Sequence, residues 1–169
     1  MWTVRLIDKT DVAKFIDLQN ALDKETQYML MEPGELSDSV AEWEKRIVPF
    51  IDQPQNGFWV VEADDGTLVG FLRARGQTPR RLAHSALIVV GIRQAYWGQG
   101  IGTQLFQILE SWAKDHRIHR MELDVMVTNR RALGLYHKMR FQVEGLRRHS
   151  IRYTDGQFVD EYMMAKLLD

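Results

Sequence analysis

Apolar residues along the chain follow two kinds of spacing, which predict seven strands and four helices in the order β-α-α-β-β-β-α-β-α-β-β. Helical spacing occurs after Asp11, from about Ser37, over residues 101–112 and over residues 129–139. Short apolar or alternating runs predict strands at residues 3–7, 58–63, 68–74, 86–92, 121–127, 141–153 and 157–167. This order predicts an α/β protein with a mixed sheet and helices on its faces, in a single domain over residues 1–169.

Local signals predict several boundaries of these elements. Asp11 is a residue type that caps helix N-termini, so we expect it to cap the first helix. Pro49 and Pro54 are expected to close the region of the second helix, because proline interrupts helical hydrogen bonding. Asp-Asp-Gly at residues 64–66 predicts the turn of a hairpin. The nearly continuous apolar run 86–92 predicts a strand that is buried on both faces.

Composition narrows the class of protein. Of the 169 residues 45% are hydrophobic and the formal net charge is −1, so we expect no binding to nucleic acid or to a membrane. The chain has no cysteine, which excludes disulfides and thiolate metal ligands. Neither a signal peptide nor an apolar run of about 20 residues occurs, and we therefore expect a cytoplasmic protein.

Three glycines at alternate positions precede the third helix, in the stretch WGQGIGTQLF at residues 97–106. A strand that feeds a glycine-rich turn and a helix N-terminus predicts an anion site, because the first helical N–H groups lack internal partners. A Walker loop is excluded, since Thr103 and Gln104 stand where its lysine and hydroxyl residue would follow Gly102. A dinucleotide fingerprint with Asp124 as its acid matches only in part, and it stays as an alternative.

Two segments resemble motifs of the GNAT superfamily of N-acetyltransferases. IRQAYWGQGIGT, residues 92–103, is similar to the loop that binds the pyrophosphate of acetyl-CoA in that family. NRRALGLYHKMRF, residues 129–141, is similar to a later family motif. Trp97 stands where the family usually has Gln or Arg, and Arg140 stands where it usually has Gly. The resemblance implies a mixed, mostly antiparallel central sheet flanked by helices.

The resemblance also implies a set of site residues. Tyr136 is the expected catalytic acid, since a neutral phenol can give a proton to the departing thiolate. An aromatic residue on the buried stripe of a helix is the alternative for Tyr136, and an N-cap is the alternative for Asn129. The residues expected to bind acetyl-CoA are Val90, Ile92, Trp97, Gly98, Gln99, Gly100, Ile101, Gly102, Thr103, Asn129 and Tyr136.

The general base is less clearly marked in the sequence. His84 shares strand parity with Val90, and Glu25 and Glu32 lie near the end of the first helix or just after it, so all three are candidates for the acceptor side or the base. Water is a further candidate for the proton path. We expect no metal, because His116 and His119 have no third ligand nearby.

The resulting expectation is an enzyme that moves the acetyl group of acetyl-CoA to a primary amine by direct attack in a ternary complex. The acceptor would be a small molecule or a peptide, and a homodimer is left open. The alternatives are a non-catalytic module that binds acyl-CoA and, on the partial fingerprint match, a dehydrogenase-like protein.

Overall fold

A computed structural model describes all residues, 1–169, and contains the seven strands and four helices in the expected order. The strands are β1 Trp2–Leu6, β2 Gly57–Ala63, β3 Leu68–Gly76, β4 Ser85–Ile92, β5 Arg120–Met126, β6 Gln142–Arg152 and β7 Phe158–Leu167. The helices are α1 Val12–Glu25, α2 Val40–Ile51, α3 Ile101–Asp115 and α4 Arg130–Lys138. None of the four helices combines the length and the apolar character that crossing a membrane requires.

The strands form a sheet in the order β1-β2-β3-β4-β5-β7-β6. Neighbours are antiparallel at β1/β2, β2/β3, β5/β7 and β6/β7. The pair β4/β5 is parallel, with Ser85–Leu87 beside Arg120–Glu122. The expected mixed, mostly antiparallel sheet is therefore confirmed.

The chain divides into two compact units, each built from two separate segments. The first unit consists of residues 1–75 and 89–112, and the second consists of residues 76–88 and 113–169. The single domain expected over residues 1–169 stays a prediction.

Aromatic rings form the centre of the first unit. Phe15 of α1 packs edge-on against Trp43 of α2 at 5.7 Å and against Phe58 and Phe71 of the sheet at 5.2 Å. Edge-to-face packing of this kind is favoured by the ring quadrupoles and adds to the hydrophobic gain of burial. The amphipathic stripe of α1 is thus held against the strands β2 and β3.

Two expected helix boundaries differ from the structure. Asp11 lies at the N-cap position of α1 but makes no capping bond, because its carboxylate accepts hydrogen bonds from Arg5 and from the Asp8 amide. Pro49 lies inside α2 rather than closing it. The helix continues past it because the Asp52 amide donates to the Val48 carbonyl at 3.1 Å, which completes the last turn.

The apolar sequence of β4 predicted burial along the whole strand, but the structure buries only part of it. Its first half is buried, with Ala86 and Ile88 at most 5% exposed. Val89 is 37% exposed, and Val90 and Ile92 are half-buried. Apolar sequence indicates burial only where another element covers the strand, so the second half of β4 is incompletely covered at Val89 on one face and at Val90 and Ile92 on the other.

The end of α4 explains the Arg140 that stands in place of the family's glycine. Arg140 has φ 67°, its amide donates to the His137 carbonyl, and the Phe141 amide donates to the Tyr136 carbonyl. These two bonds form a Schellman motif, in which the residue with positive φ is usually glycine. Arginine therefore takes the same backbone conformation, at a cost in strain.

Arg140→Gly is expected to raise the free energy of unfolding by about 1 kcal/mol, because glycine adopts positive φ without a Cβ clash. Urea unfolding measures the change. His137→Gly is the matched control, since this helical position should lose about 1 kcal/mol instead. Equal losses in both variants would contradict the strain assigned to Arg140.

Candidate functional site

The glycine stretch forms the connection from β4 to α3 in the first unit. After β4 the chain makes a short 3-10 turn at Gln94–Tyr96. The Trp97 indole Nε1 donates to the Ile92 carbonyl at 2.8 Å and so closes the turn back onto the end of the strand. Trp97 therefore anchors the start of the glycine loop, a role that its apolar ring did not reveal in the sequence.

Gly98 and Gly100 both have positive φ, 76° and 84°. A Cβ built at either residue would meet no other atom within 4 Å. Protein packing therefore does not require glycine there, but the left-handed backbone does. The space beside both residues is open, so a ligand can approach the backbone closely.

The N-terminus of α3 follows directly after Gly100. The first bond of the helix runs from the Gln104 amide to the Gly100 carbonyl at 3.1 Å, and the amides of Ile101, Gly102 and Thr103 precede it. These early amides and the dipole of a helix of 15 residues make the turn electropositive. The arrangement suits a phosphate group, as the glycine spacing predicted.

Glu25 fixes the chain just before the loop. One oxygen of its carboxylate accepts from Arg93 Nε and Nη2 at 2.9 and 2.8 Å, and the other accepts from the Gln94 amide at 2.9 Å. Burial raises the pKa of Glu25, but the bonds from Gln94 and Arg93 outweigh it and hold the pKa below its usual value. The sequence did not single out Arg93, which lies 68 residues from its partner.

Asn129 and Tyr136 lie in the second unit. The Asn129 side chain accepts from the Ala132 amide at 3.2 Å, so it caps α4. That bond uses its oxygen, and the amide NH₂ group keeps its capacity to donate elsewhere. Asn129 therefore satisfies the N-cap alternative without excluding contact with a ligand.

Tyr136 is buried, with 6% of its surface exposed, and its ring lies 6.1 Å from that of Phe141. It therefore lies on the buried stripe of α4, as one of the two interpretations expected. Burial raises the pKa of its phenol well above the usual value. A neutral hydroxyl is thus maintained at any pH near neutrality, which the acid role also needs.

The remaining candidates for the base are His84 and Glu32. His84 is exposed and directly precedes β4, and its role in the reaction stays a prediction. Glu32 is exposed in the turn after α1, where its amide donates to Glu35 at 2.7 Å.

Comparison with known proteins agrees with this geometry. A family model described as the acetyltransferase (GNAT) family matches residues 18–141. The L-amino acid N-acetyltransferase AaaT of Escherichia coli is 28% identical over 132 residues, which is 74% of this chain and 75% of the relative.

Solved structures reproduce the fold. A GNAT acetyltransferase of Streptococcus pneumoniae superposes with a TM-score of 0.91 at 23% identity, covering 99% of this chain and 100% of the other. A GNAT phosphinothricin acetyltransferase of Sinorhizobium meliloti, solved with acetyl-CoA, superposes at 0.84 with 16% identity, over 99% and 88% of the chains.

The chain belongs to the GNAT family of acetyltransferases. By class it is an acetyl-CoA-dependent N-acetyltransferase.

Glu25→Gln tests whether Glu25 positions the loop or acts as the base. The wild-type carboxylate stabilises the fold above its unfolded pKa of about 4.3, and this contribution is lost as the pH falls through the lower folded-state value. We therefore expect the variant to lose less stability on acidification in urea unfolding. We also expect it to bind acetyl-CoA more weakly while kcat changes little.

Glu44→Gln, which changes an exposed carboxylate of α2, is the control and should follow the wild type. A large fall in kcat for Glu25→Gln, with the acidic limb of the pH profile removed, would instead assign Glu25 as the base.

Proposed function

We propose that this chain transfers the acetyl group of acetyl-CoA to a primary amine by direct attack in a ternary complex. The loop Trp97–Thr103 would hold the pyrophosphate, and Tyr136 would supply a proton to the departing sulphur. The observation that carries the proposal is the pair of left-handed glycines with open space beside them, directly before the N-terminus of α3.

The residues present fit acetyl-CoA. The amides of Ile101 and Gly102 offer donors that need no side chain, so Trp97 in place of the family's Gln or Arg leaves this part of the cradle intact. The Gln99 side chain is held against the preceding turn, because its Nε2 donates to the Ala95 carbonyl at 3.3 Å. The half-buried Val90 and Ile92 offer apolar surface and backbone groups for the pantetheine arm.

The cofactor supplies an activated thioester, and the protein supplies position and protons. Tyr136 holds its proton because burial disfavours the phenolate, so a donor is present when the sulphur leaves. Asn129 would donate from its NH₂ group to the arm of the cofactor, which its capping bond permits because that bond uses only the side-chain oxygen.

The proton lost by the amine needs a separate route. Glu25 is committed to Arg93 and Gln94, and His84 lies at the far end of β4. Glu32 keeps an exposed carboxylate in the loop after α1. We propose that water, with or without Glu32, carries this proton.

The acceptor is proposed as a small-molecule or peptide amine. A free amino acid is supported by the name of the Escherichia coli relative, an L-amino acid N-acetyltransferase. A homodimer and a cytoplasmic location stay predictions from the sequence.

Gly100→Ala is expected to weaken acetyl-CoA binding at least about tenfold, because a Cβ would strain the left-handed backbone and project into the open space beside the loop. Isothermal titration calorimetry with acetyl-CoA measures the dissociation constant. Gly156→Ala is the matched control, since Gly156 also has positive φ, 88°, and open space around its Cβ position. If both variants bind acetyl-CoA like the wild type, the loop is not the pyrophosphate site.

Tyr136→Phe is expected to lower kcat by about 10²- to 10⁴-fold while the dissociation constant of acetyl-CoA changes little. Release of free thiol in the presence of an amine acceptor measures kcat. Because burial raises the pKa of Tyr136, wild-type kcat should show no loss of the acid group up to about pH 10.

Tyr162→Phe, at a half-buried tyrosine of β7, should leave kcat unchanged. An unchanged kcat in Tyr136→Phe would refute the acid role. Binding of acetyl-CoA without thiol release for any amine would favour the non-catalytic module, and binding of NAD in its place would favour the dehydrogenase-like alternative.

A further inference from the structure

Two arginines share one face of β3 in the first unit. Arg73 and Arg75 are two positions apart, so their side chains point to the same side of the strand as Phe71. Phe71 is 2% exposed, since its ring packs against Phe15 of α1 at 5.2 Å. Arg73 and Arg75 are exposed, so the packing that buries Phe71 on this face of β3 does not extend to these two residues.

The neighbours of Arg73 across the sheet are apolar. On β2 its partner in the register is Phe58. On the other side the Arg93 amide donates to the Val69 carbonyl, and a Cβ on Gly91 would lie 2.9 Å from the ring of Phe71. These two observations pair Phe71 with Gly91, and the next pair on the same face is therefore Arg73 with Val89.

Neither guanidinium is bonded to a carboxylate. Arg5, Arg93 and Arg120, by contrast, are all held in ion pairs. Desolvation by the surrounding atoms, and then the charge of Arg75, hold the pKa of Arg73 below the usual arginine value, although its side chain reaches solvent. Two like charges set side by side without a counter-ion disfavour the empty site and favour an anionic ligand.

We propose that Arg73 and Arg75 bind the carboxylate of the amine acceptor, so that the acceptors are free α-amino acids or close analogues. The inference rests on the proposed acetyl transfer and names the substrate class for it. A guanidinium matches a carboxylate through two parallel hydrogen bonds, and a second arginine completes the neutralisation.

The position of the arginines agrees with the chemistry. Opposite residues of an antiparallel pair have Cα atoms about 5 Å apart, so Arg73 lies directly beside β4, the strand proposed to face the thioester. In an α-amino acid the carboxylate and the amine are attached to one carbon. A carboxylate held on β3 therefore leaves the amine next to β4. Val89, exposed between them, offers apolar contact to the rest of the acceptor.

The experiment compares acceptors that differ only in the carboxylate. The twenty L-amino acids are screened with acetyl-CoA by thiol release, and each is paired with its amide and with its decarboxylated amine. The free acids are expected to have kcat/KM values at least about tenfold above those of both partners.

The variants assign that preference to the two arginines. Arg73→Gln and Arg75→Gln should each lower kcat/KM for the free acid about 10- to 100-fold, mainly through KM, and leave the values for the amide and the acetyl-CoA dissociation constant unchanged. Arg73→Lys should restore part of the loss. Arg148→Gln, at an exposed arginine of β6, is the control and should act like the wild type.

Several outcomes would overturn the inference. If amides, or peptides whose only carboxylate is remote from the amine, are acetylated as well as the free acids, the enzyme does not recognise the α-carboxylate. Weaker acetyl-CoA binding in Arg73→Gln assigns the arginines to a phosphate of the cofactor. A wild-type enzyme that acetylates other amines but no amino acid refutes the substrate class alone.

Failure of the proposed function is recognised separately, because the wild type would then either not bind acetyl-CoA or release no thiol with any amine. If a variant does not fold, as judged by its thermal unfolding, the wild type still decides the question. In the wild type, N-acetyl amino acids, which keep the carboxylate, should then inhibit acetylation of the free amino acid competitively. The amides of these N-acetyl amino acids should not inhibit it.

Discussion

The turn between β4 and α3 is the constraint on which the site depends. The chain has to leave a strand and begin a helix whose first hydrogen bond is donated by the Gln104 amide, so that the amides of Ile101 and Gly102 precede the helical bonding. Gly98 and Gly100 make the change of direction with positive φ, and Trp97 and Glu25 fix the turn at its start. Donors held this firmly lose little entropy when they bind an anion, which is the physical basis of a backbone phosphate site.

Several charged groups in the protein serve the fold. Arg5 binds Asp11 and Glu62, Arg120 binds Glu122 and Glu144, and Arg147 binds Asp124. Such pairs satisfy charges that would otherwise be costly to desolvate. Arg73 does not follow this rule, because its partner on β2 is Phe58 and the nearest charge acting on it is that of Arg75. A departure from local consistency of this kind is expected where a protein binds something other than itself.

The incompletely covered second half of β4 connects these two features. Its apolar sequence predicted a strand buried on both faces, yet Val89 is exposed on one face and Val90 and Ile92 are only half-buried on the other. The glycine loop begins where this strand ends, and the arginines lie on the strand beside it. In the proposals above, Val90 and Ile92 contact the cofactor arm, and Val89 contacts the acceptor from the opposite face of the strand. The family motifs lie within residues 92–141, so they report on the cofactor and say little about the acceptor.

The sequence by itself determined the order of elements and the glycine loop, because periodicity and glycine placement are local properties of the chain. The mostly antiparallel sheet was implied by the resemblance of its motifs to the GNAT family. The tertiary structure alone decided which charges meet. Asp11 pairs with Arg5 instead of capping α1, Glu25 pairs with Arg93 across 68 residues, and Arg73 pairs with no acid. These outcomes depend on strand register and helix cover, which bring distant residues together and leave no trace in any local pattern.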